Sequence, residues 1–306
     1  ADRIPAENGE PELMDGILVI KKEKGFTSHD VVAKLRGILH MKKIGHTGTL
    51  DPDAEGVLPV VLGKATRLVE FLTEKEKEYV AVLRLGVDTD TQDMTGTILA
   101  QNPVQVSGEQ VQEAVNAFLG PQLQVPPMYS AVKVDGRKLY ELAREGMEVE
   151  RTPRPVTFYE IEILEMNCPL VTLRVKCSKG TYIRTLCHDL GEKLGCGGAM
   201  EALIRTRSGQ YDISESMTLK EVEEAVSDGS ITDRIIAIET VLNEFPRICC
   251  REPGDRLLSN GNPLSEEILG TRYRGGWFRM CSSKGTFVGI YQWNEKKKMY
   301  FPYKMF

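Results

Sequence analysis

The chain has no Cys-x-x-Cys pair, and its seven cysteines, Cys168, Cys177, Cys187, Cys196, Cys249, Cys250 and Cys281, are odd in number and irregularly spaced. That pattern builds no disulfide framework and reads as reduced, mostly buried thiols. The four histidines, His29, His40, His46 and His188, are too scattered to complete a zinc pattern, so no metal site is expected. No apolar run approaches the roughly 20 residues that cross a bilayer. The opening stretch ADRIPAENGEPEL is acidic and contains proline, which suits neither a secretory signal nor a transit peptide. These absences predict a cytoplasmic protein with no membrane partner, residues 1–13 being a disordered leader. There is no internal repeat, low-complexity tract or dinucleotide motif either.

What is present suffices for one large or two modest domains. The 306 residues are 41% hydrophobic and 27% charged, the mixture of a globular chain with a substantial core. The formal charge of −5 argues mildly against a nucleic-acid partner. It conceals a split, however. Residues 206–245 carry three basic against nine acidic side chains, while residues 246–306 carry eleven basic against five acidic. A basic module of that kind can bind phosphates within an acidic protein.

GILVIKK reads as a buried strand, and SHDVVAKLRGIL as a helix with Ser28 at its N-cap. Tyr79–Val87 alternates like a strand, and Ser107 and Gly120 bracket a helix. VPPMYSAVKVDGRK reads as a long exposed basic loop closed by the short helix LYELAREG. Two strands follow, VTFYEIEILEM and LVTLRVKCS, then a helix from Tyr182 to about Lys193, then a strand pair or sheet edge in AMEALIRTRSGQYDI. Strands and helices without βαβ regularity predict an α+β fold with a mixed, largely antiparallel sheet and flanking helices. After Pro246, short alternating runs such as GTFVGIYQW predict a small β-barrel or sandwich, with a domain boundary near residue 245.

Three stretches could carry chemistry. GHTGTLDPDAEG, residues 45–56, crowds Asp51, Asp53 and Glu55 among glycines and a proline that would fix the backbone around Asp51. Positioned carboxylates do acid–base work or hold Mg²⁺, though a solvated turn has the same composition. DTDTQDMTG offers Asp88, Asp90 and Asp93. A calcium loop would need glycine where Asp93 stands and glutamate where Leu99 stands, so a solvated loop is the reading. CSKGTYIRTLCHDLG places Arg184 at the start of a helix, where it could pair with a distant carboxylate. His188 on that helix reads as a surface or satisfied histidine.

GHTGTLDPDAEGVLPVVLGKATR, KEYVAVLRLGVDTDTQDMTG, VPPMYSAVKVDGRKLYELAREG and CSKGTYIRTLCHDLGEKLGCG resemble, in order and spacing, the TruB family of tRNA pseudouridine synthases. The resemblance runs from about Asp15 to Phe306, and the tail resembles the PUA domain of bacterial members. It implies a catalytic domain at 14–245 with an RNA-gripping loop at about 122–150, and a PUA-type RNA-binding domain at 246–306. The implied reaction is cofactor-free isomerisation of the T-loop uridine at tRNA position 55 to pseudouridine. By the same resemblance Asp51 is the nucleophile, acting at C1′, at C6 or on the C2′ proton. Arg184 pairs with it and orients it, and Tyr79 stacks on the base or helps remove the C5 proton. His46, Leu203, Lys22 and Tyr182 would lie at the substrate. Lys22 sits in KEKG, where the family usually has proline in place of Glu23.

The residues themselves suit an RNA partner. Lys133, Arg137, Lys138 and Arg144 could grip a folded RNA loop by its phosphates, and Arg272, Arg274, Arg279 and Lys296–Lys298 could hold the rest of the tRNA. The expected partner is the T-arm stem-loop, without a guide RNA, and the expected state is a monomer. An RNA-folding chaperone, an RNA-guided synthase and a metal-dependent hydrolase built on Asp51 and Asp53 are the competing readings.

Overall fold

The computed structural model describes residues 14–73 and 75–306; the expected leader at 1–13 lies outside the described residues. Strand β1 (Gly16–Lys22) leads to helix α1 (Ser28–Ile38), then β2 (Ile44–His46), β3 (Glu55–Leu62), α2 (Val69–Thr73) and β4 (Lys77–Leu85). The hairpin β5 (Val87–Thr89) and β6 (Ile98–Gln101) precedes α3 (Gly108–Asn116) and β7 (Gly120–Gln124). A second hairpin, β8 (Lys133–Val134) and β9 (Arg137–Lys138), runs into α4 (Leu139–Arg144). The basic loop is thus partly ordered by its own two short strands. Next come β10 (Arg154–Asn167), β11 (Leu170–Cys177), α5 (Ile183–Lys193), β12 (Gly198–Ser208) and β13 (Tyr211–Asp212). The acidic segment forms α6 (Leu219–Asp228) and α7 (Ile238–Val241).

The main sheet has the order β1-β3-β12-β4-β11-β10-β7, with β2 added to β3 and β13 to β12. All its pairings are antiparallel except β12 on β3, so the expected mixed, largely antiparallel sheet is present. The stretch AMEALIRTRSGQYDI forms the expected strand pair, β12 with β13, but β12 is no edge. It lies at the centre between β3 and β4. Its sequence misleads because Ala202 and Ile204 face solvent while Leu203 and Arg205 face inward.

The core explains this asymmetry. Strand β4 alternates strictly, and Tyr79, Ala81, Leu83 and Leu85 join Leu186 and Leu190 of α5 and Val111 and Val115 of α3 in one cluster. Such alternation marks a sheet with one face on a core and one toward water. At the β1–β3 end both faces are covered: Leu18 and Ile20 pack with α1 and α6, and Ile17 and Val19 pack with α2 and α7.

Helix α1 begins one residue earlier than expected. Thr27, not Ser28, is its N-cap, in a reciprocal capping box with Asp30. Ser28 is buried instead, with its hydroxyl on the backbone of Leu50.

The C-terminal residues form β14 (Arg247–Cys249), the short helices α8 (Asp255–Ser259) and α9 (Glu266–Leu269), and β15 (Phe278–Cys281), β16 (Phe287–Asn294) and β17 (Met299–Met305). The strands pair in the order β14-β15-β16-β17, and β17 does not return to β14. The sheet is therefore open, not the closed barrel that was one expectation. It has its own core of Phe278, Met280, Tyr291 and Tyr300. It also docks on the first sheet through Trp277, whose ring meets Phe71 and Phe245 edge-on and stacks on Tyr303 at 4.5 Å.

Candidate active site

Residues 47–54 form a loop between β2 and β3 that carries Asp51. Almost every turn of its backbone is tied down. Thr47 N–H donates to the Pro59 carbonyl at 3.0 Å. Leu50 gives its N–H to the Ser28 hydroxyl at 3.0 Å, and its carbonyl accepts from that hydroxyl at 3.2 Å. The Pro52 carbonyl accepts from Gly25 N–H and from Lys22 Nζ. Arg205 donates from Nη2 to the Gly48 carbonyl and from Nε to the Val57 carbonyl, both at 2.7 Å. Leu50 and Ala54 sink into the core, and the Asp51 side chain, 48% exposed, is left facing out. The glycines and acids of this stretch are therefore not a solvated turn.

Asp51 Oδ2 lies 3.1 Å from Nη2 of Arg184, whose own side chain is 7% exposed. Arg184 comes from the first turn of α5. That helix has no side-chain cap, but Gln124 of β7 replaces one: its side-chain oxygen accepts from Tyr182 N–H at 2.8 Å and its amide donates to the Tyr182 carbonyl at 3.0 Å. The guanidinium is held at two further points, the Tyr129 carbonyl at 2.8 Å and Asp93 Oδ2 at 3.5 Å.

Asp93 is the residue that sequence reasoning dismissed. The loop between β5 and β6 is not solvated at this point: Asp93 is 8% exposed, and its other oxygen accepts from Thr91, from Thr95 N–H and from the Thr95 hydroxyl. Met94 and Met200 strap the loop to β12 through backbone bonds. One arginine therefore joins two carboxylates, one buried and one exposed. Three threonines around a single aspartate, Thr89, Thr91 and Thr95, were the available signal.

Tyr79 projects inward from β4, 9% exposed, directly across from Arg205 of β12. Burial pushes its phenol above the ordinary value, so the hydroxyl is neutral near pH 7. Leu203, two residues before Arg205, packs half-buried against the same core and pairs with Ala81. Tyr182 lays its ring 5.9 Å from the Arg184 guanidinium. His46 stands at the end of β2 with Nε2 3.4 Å from Nδ1 of His29. Burial, then His29, then Arg205 push its imidazole below the ordinary value.

Lys22 does not fit its expected place at the substrate. It is 1% exposed, and its ammonium donates to the carbonyls of Glu23, Phe26 and Pro52, which takes all three protons. It fixes the turn beneath Asp51. Burial pushes its amine down. The basic residues expected to grip RNA fall into two groups. Lys133 and Arg137 are exposed on the β8–β9 hairpin, Arg137 pairing with Glu145, while Lys138 and Arg144 lie over the Tyr140 ring. In the C-terminal sheet Arg274 is packed 3.3 Å over Trp293 and bonded to Tyr300 and Glu266. Arg279 donates to the Phe245 carbonyl and pairs with Glu239. Arg279 is thus held by the protein itself, whereas Arg274, Arg272 and Lys296 are exposed. His188 is half-buried with Nδ1 3.9 Å from Asp88. Among the described residues no cluster of three or more potential metal ligands exists, and no helix is long and apolar enough to cross a membrane.

Residues 36–183 match the TruB family pseudouridylate synthase N-terminal domain, and residues 184–243 match the tRNA pseudouridylate synthase B C-terminal domain. Among curated relatives, tRNA pseudouridine synthase B of Lachnoclostridium phytofermentans is 48% identical, covering 96% of this chain and all of the relative. Its counterpart in Clostridium novyi is 45% identical over 92% of this chain and 97% of its own length. Among solved structures, a Cbf5-Nop10-Gar1 complex contains a chain that superposes with a TM-score of 0.73 at 28% identity, covering 97% of this chain and 88% of that one. An H/ACA RNP bound to a substrate RNA containing 2'-deoxyuridine gives 0.70 at 26%, covering 98% and 88%. The tethered aspartate, its buried arginine and the inward tyrosine stand on a chain that belongs to the TruB family of pseudouridylate synthases.

Proposed function

We propose that this protein isomerises a uridine of tRNA to pseudouridine, at position 55 in the T-loop, with Asp51 as the nucleophile. The observation that carries the assignment is a half-exposed carboxylate on a fully tethered loop, 3.1 Å from a buried guanidinium. The reaction breaks the bond between N1 and C1′, forms one between C5 and C1′, moves a proton to N1 and expels the C5 hydrogen. It needs no electron acceptor and no outside group. Asp51 starts it by attack at C1′ or C6 or by taking the C2′ proton. Arg184 reaches the carboxylate through Nη2 while Asp93 and the Tyr129 carbonyl hold the guanidinium itself in place, so the charge that meets Asp51 is fixed in direction. Tyr79 is assigned to stack on the flipped base and to assist loss of the C5 proton, a reading supported by its inward place on β4 across from Arg205.

A base must leave its stack to reach Asp51, at a cost of a few kcal/mol. Polar atoms that would meet such a ligand are already aligned along these segments. Arg184 Nε, Ser130 Oγ, His46 Nδ1 and Thr47 Oγ1 are buried without a hydrogen-bond partner, a condition that folds rarely tolerate outside functional sites. The exposed Lys133 and Arg137 would meet phosphates of the T-arm. Residues 14–245 act as the catalytic unit, and residues 246–306, with their basic surplus, as a PUA-type RNA-binding module.

The test uses an unmodified T-arm stem-loop carrying tritium at C5 of its uridines, in EDTA. Wild type should release one equivalent into water. Asp51→Asn should bind the RNA and release tritium about 10⁴-fold more slowly or not at all. Equal release by both proteins would overturn the assignment of Asp51. Binding without release by wild type, on full-length tRNA as well, would favour an RNA chaperone.

A further inference from the structure

Arg205 is the largest fully buried side chain of the described residues, 1% exposed, and no ion pair ties it to a carboxylate among them. Burying a cation without a counter-ion is unfavourable unless its surroundings compensate. Here the compensation comes from two carbonyls on either side of Asp51: Gly48, near the start of the loop, and Val57 in β3, just beyond its end. The backbone is shaped to allow this. Gly48 and Gly56 both have positive φ, 67° and 109°. A Cβ at Gly48 would lie 3.3 Å from Arg205 Nη1, and one at Gly56 would lie 2.1 Å from the Arg205 carbonyl. The parallel contact of β12 with β3 puts Arg205 beside Gly56, and the antiparallel contact with β4 puts it across from Tyr79.

We infer that Arg205 is a positioning residue for Asp51: one buried guanidinium ties the chain on both sides of the nucleophile and locks it to the strand facing Tyr79. This rests on the reading of Asp51 as the nucleophile. A lysine could reach one carbonyl as a point charge but could not span both in the fixed geometry of a fork. Loosening one end of the loop displaces the carboxylate, and a displacement near 1 Å can cost about 10²-fold in rate.

The experiment is single-turnover tritium release from the same T-arm stem-loop, with enzyme in excess, for wild type, Arg205→Lys, Gly48→Ala and Asp51→Asn. Arg205→Lys should lower the rate constant about 10²-fold, while amplitude and RNA Kd stay within about threefold of wild type. A purely structural role would lower the amplitude, because misfolded molecules drop out and the rest react at the normal rate. A rate constant for Arg205→Lys within about threefold of wild type would overturn the inference. Gly48→Ala is only a control for a distorted loop, since a φ of 67° strains any side chain there. Should Arg205→Lys lose amplitude, the rate constant of its remaining active fraction decides, because that constant does not depend on how many molecules react. A slowed rate constant supports the inference, and an unchanged one refutes it. Release by Asp51→Asn at the wild-type rate would bring down the assignment of the nucleophile instead, which is a separate failure.

Discussion

The molecule has two regions rich in cations, and they use them differently. Around the Asp51 loop, Lys22 and Arg205 give their protons to backbone carbonyls, and neither forms an ion pair among the described residues. In the C-terminal sheet, Arg274 is neutralised by Glu266, and Arg247 and Arg279 share Glu239. A carbonyl satisfies a hydrogen bond without cancelling a charge, so in the first region the Lys22 ammonium still acts through space on the carboxylates of Asp51, Asp53 and Glu55. In the second region those arginines are paired locally, while Arg251, Arg256, Arg272, Lys284 and the lysines of the β16–β17 turn are exposed.

The contrast can be broken most severely at Arg184, which serves Asp51, Asp93 and Tyr129 at once. Arg184→Lys should slow tritium release about 10²-fold or more with RNA affinity little changed, because an ammonium lacks the planar fork that reaches these three oxygens in different directions. Asp93→Asn leaves Asp51 in place but removes the buried partner of that arginine. Stability should fall by about 3 kcal/mol in urea titration, and the single-turnover rate by about tenfold.

The remaining tests sharpen the comparison. Lys133→Ala with Arg137→Ala should raise RNA Kd several-fold and flatten its dependence on log salt by about 1–2 units, leaving the bound rate intact. Arg274→Ala should lower the melting temperature slightly through loss of the Trp293 contact, with release kinetics unchanged. A defect in the rate would mean that the C-terminal cations are not merely structural. The smallest effect concerns His46, whose imidazole titrates below its ordinary value in the fold. The unfolded chain then binds more protons in the window just below pH 6.5, so stability falls as pH drops through it. His46→Gln should lose less stability than wild type between pH 6.5 and 5, and identical thermal melts at both pH values would refute this.

Much of this was legible before any coordinates. The strands at Gly16–Lys22 and Lys77–Leu85 declare themselves by apolar runs or alternation, and the pairing of Arg184 with Asp51 followed from resemblance. What was illegible is long-range. Nothing local in DTDTQDMTG says that Asp93 will be buried behind an arginine 91 positions away. Nothing in RTR says that Arg205 will be covered while its neighbour Arg207 is exposed, because that depends on which face of β12 meets β3. Lys22 looked like a ligand-binding lysine because its three carbonyl partners are not written in side chains.

The docking of Trp277 and Ile290 into the cluster of Ile17, Val61 and Phe71 has a thermodynamic consequence. The two sheets share one piece of core, so heat should melt them in a single calorimetric transition, with a van't Hoff enthalpy equal to the measured one. A chain cut at Phe245 would lose Trp277 and Tyr303 from the side of Phe71 and leave that apolar face wet. Poor RNA binding by such a fragment would report a damaged first sheet as much as a missing second one.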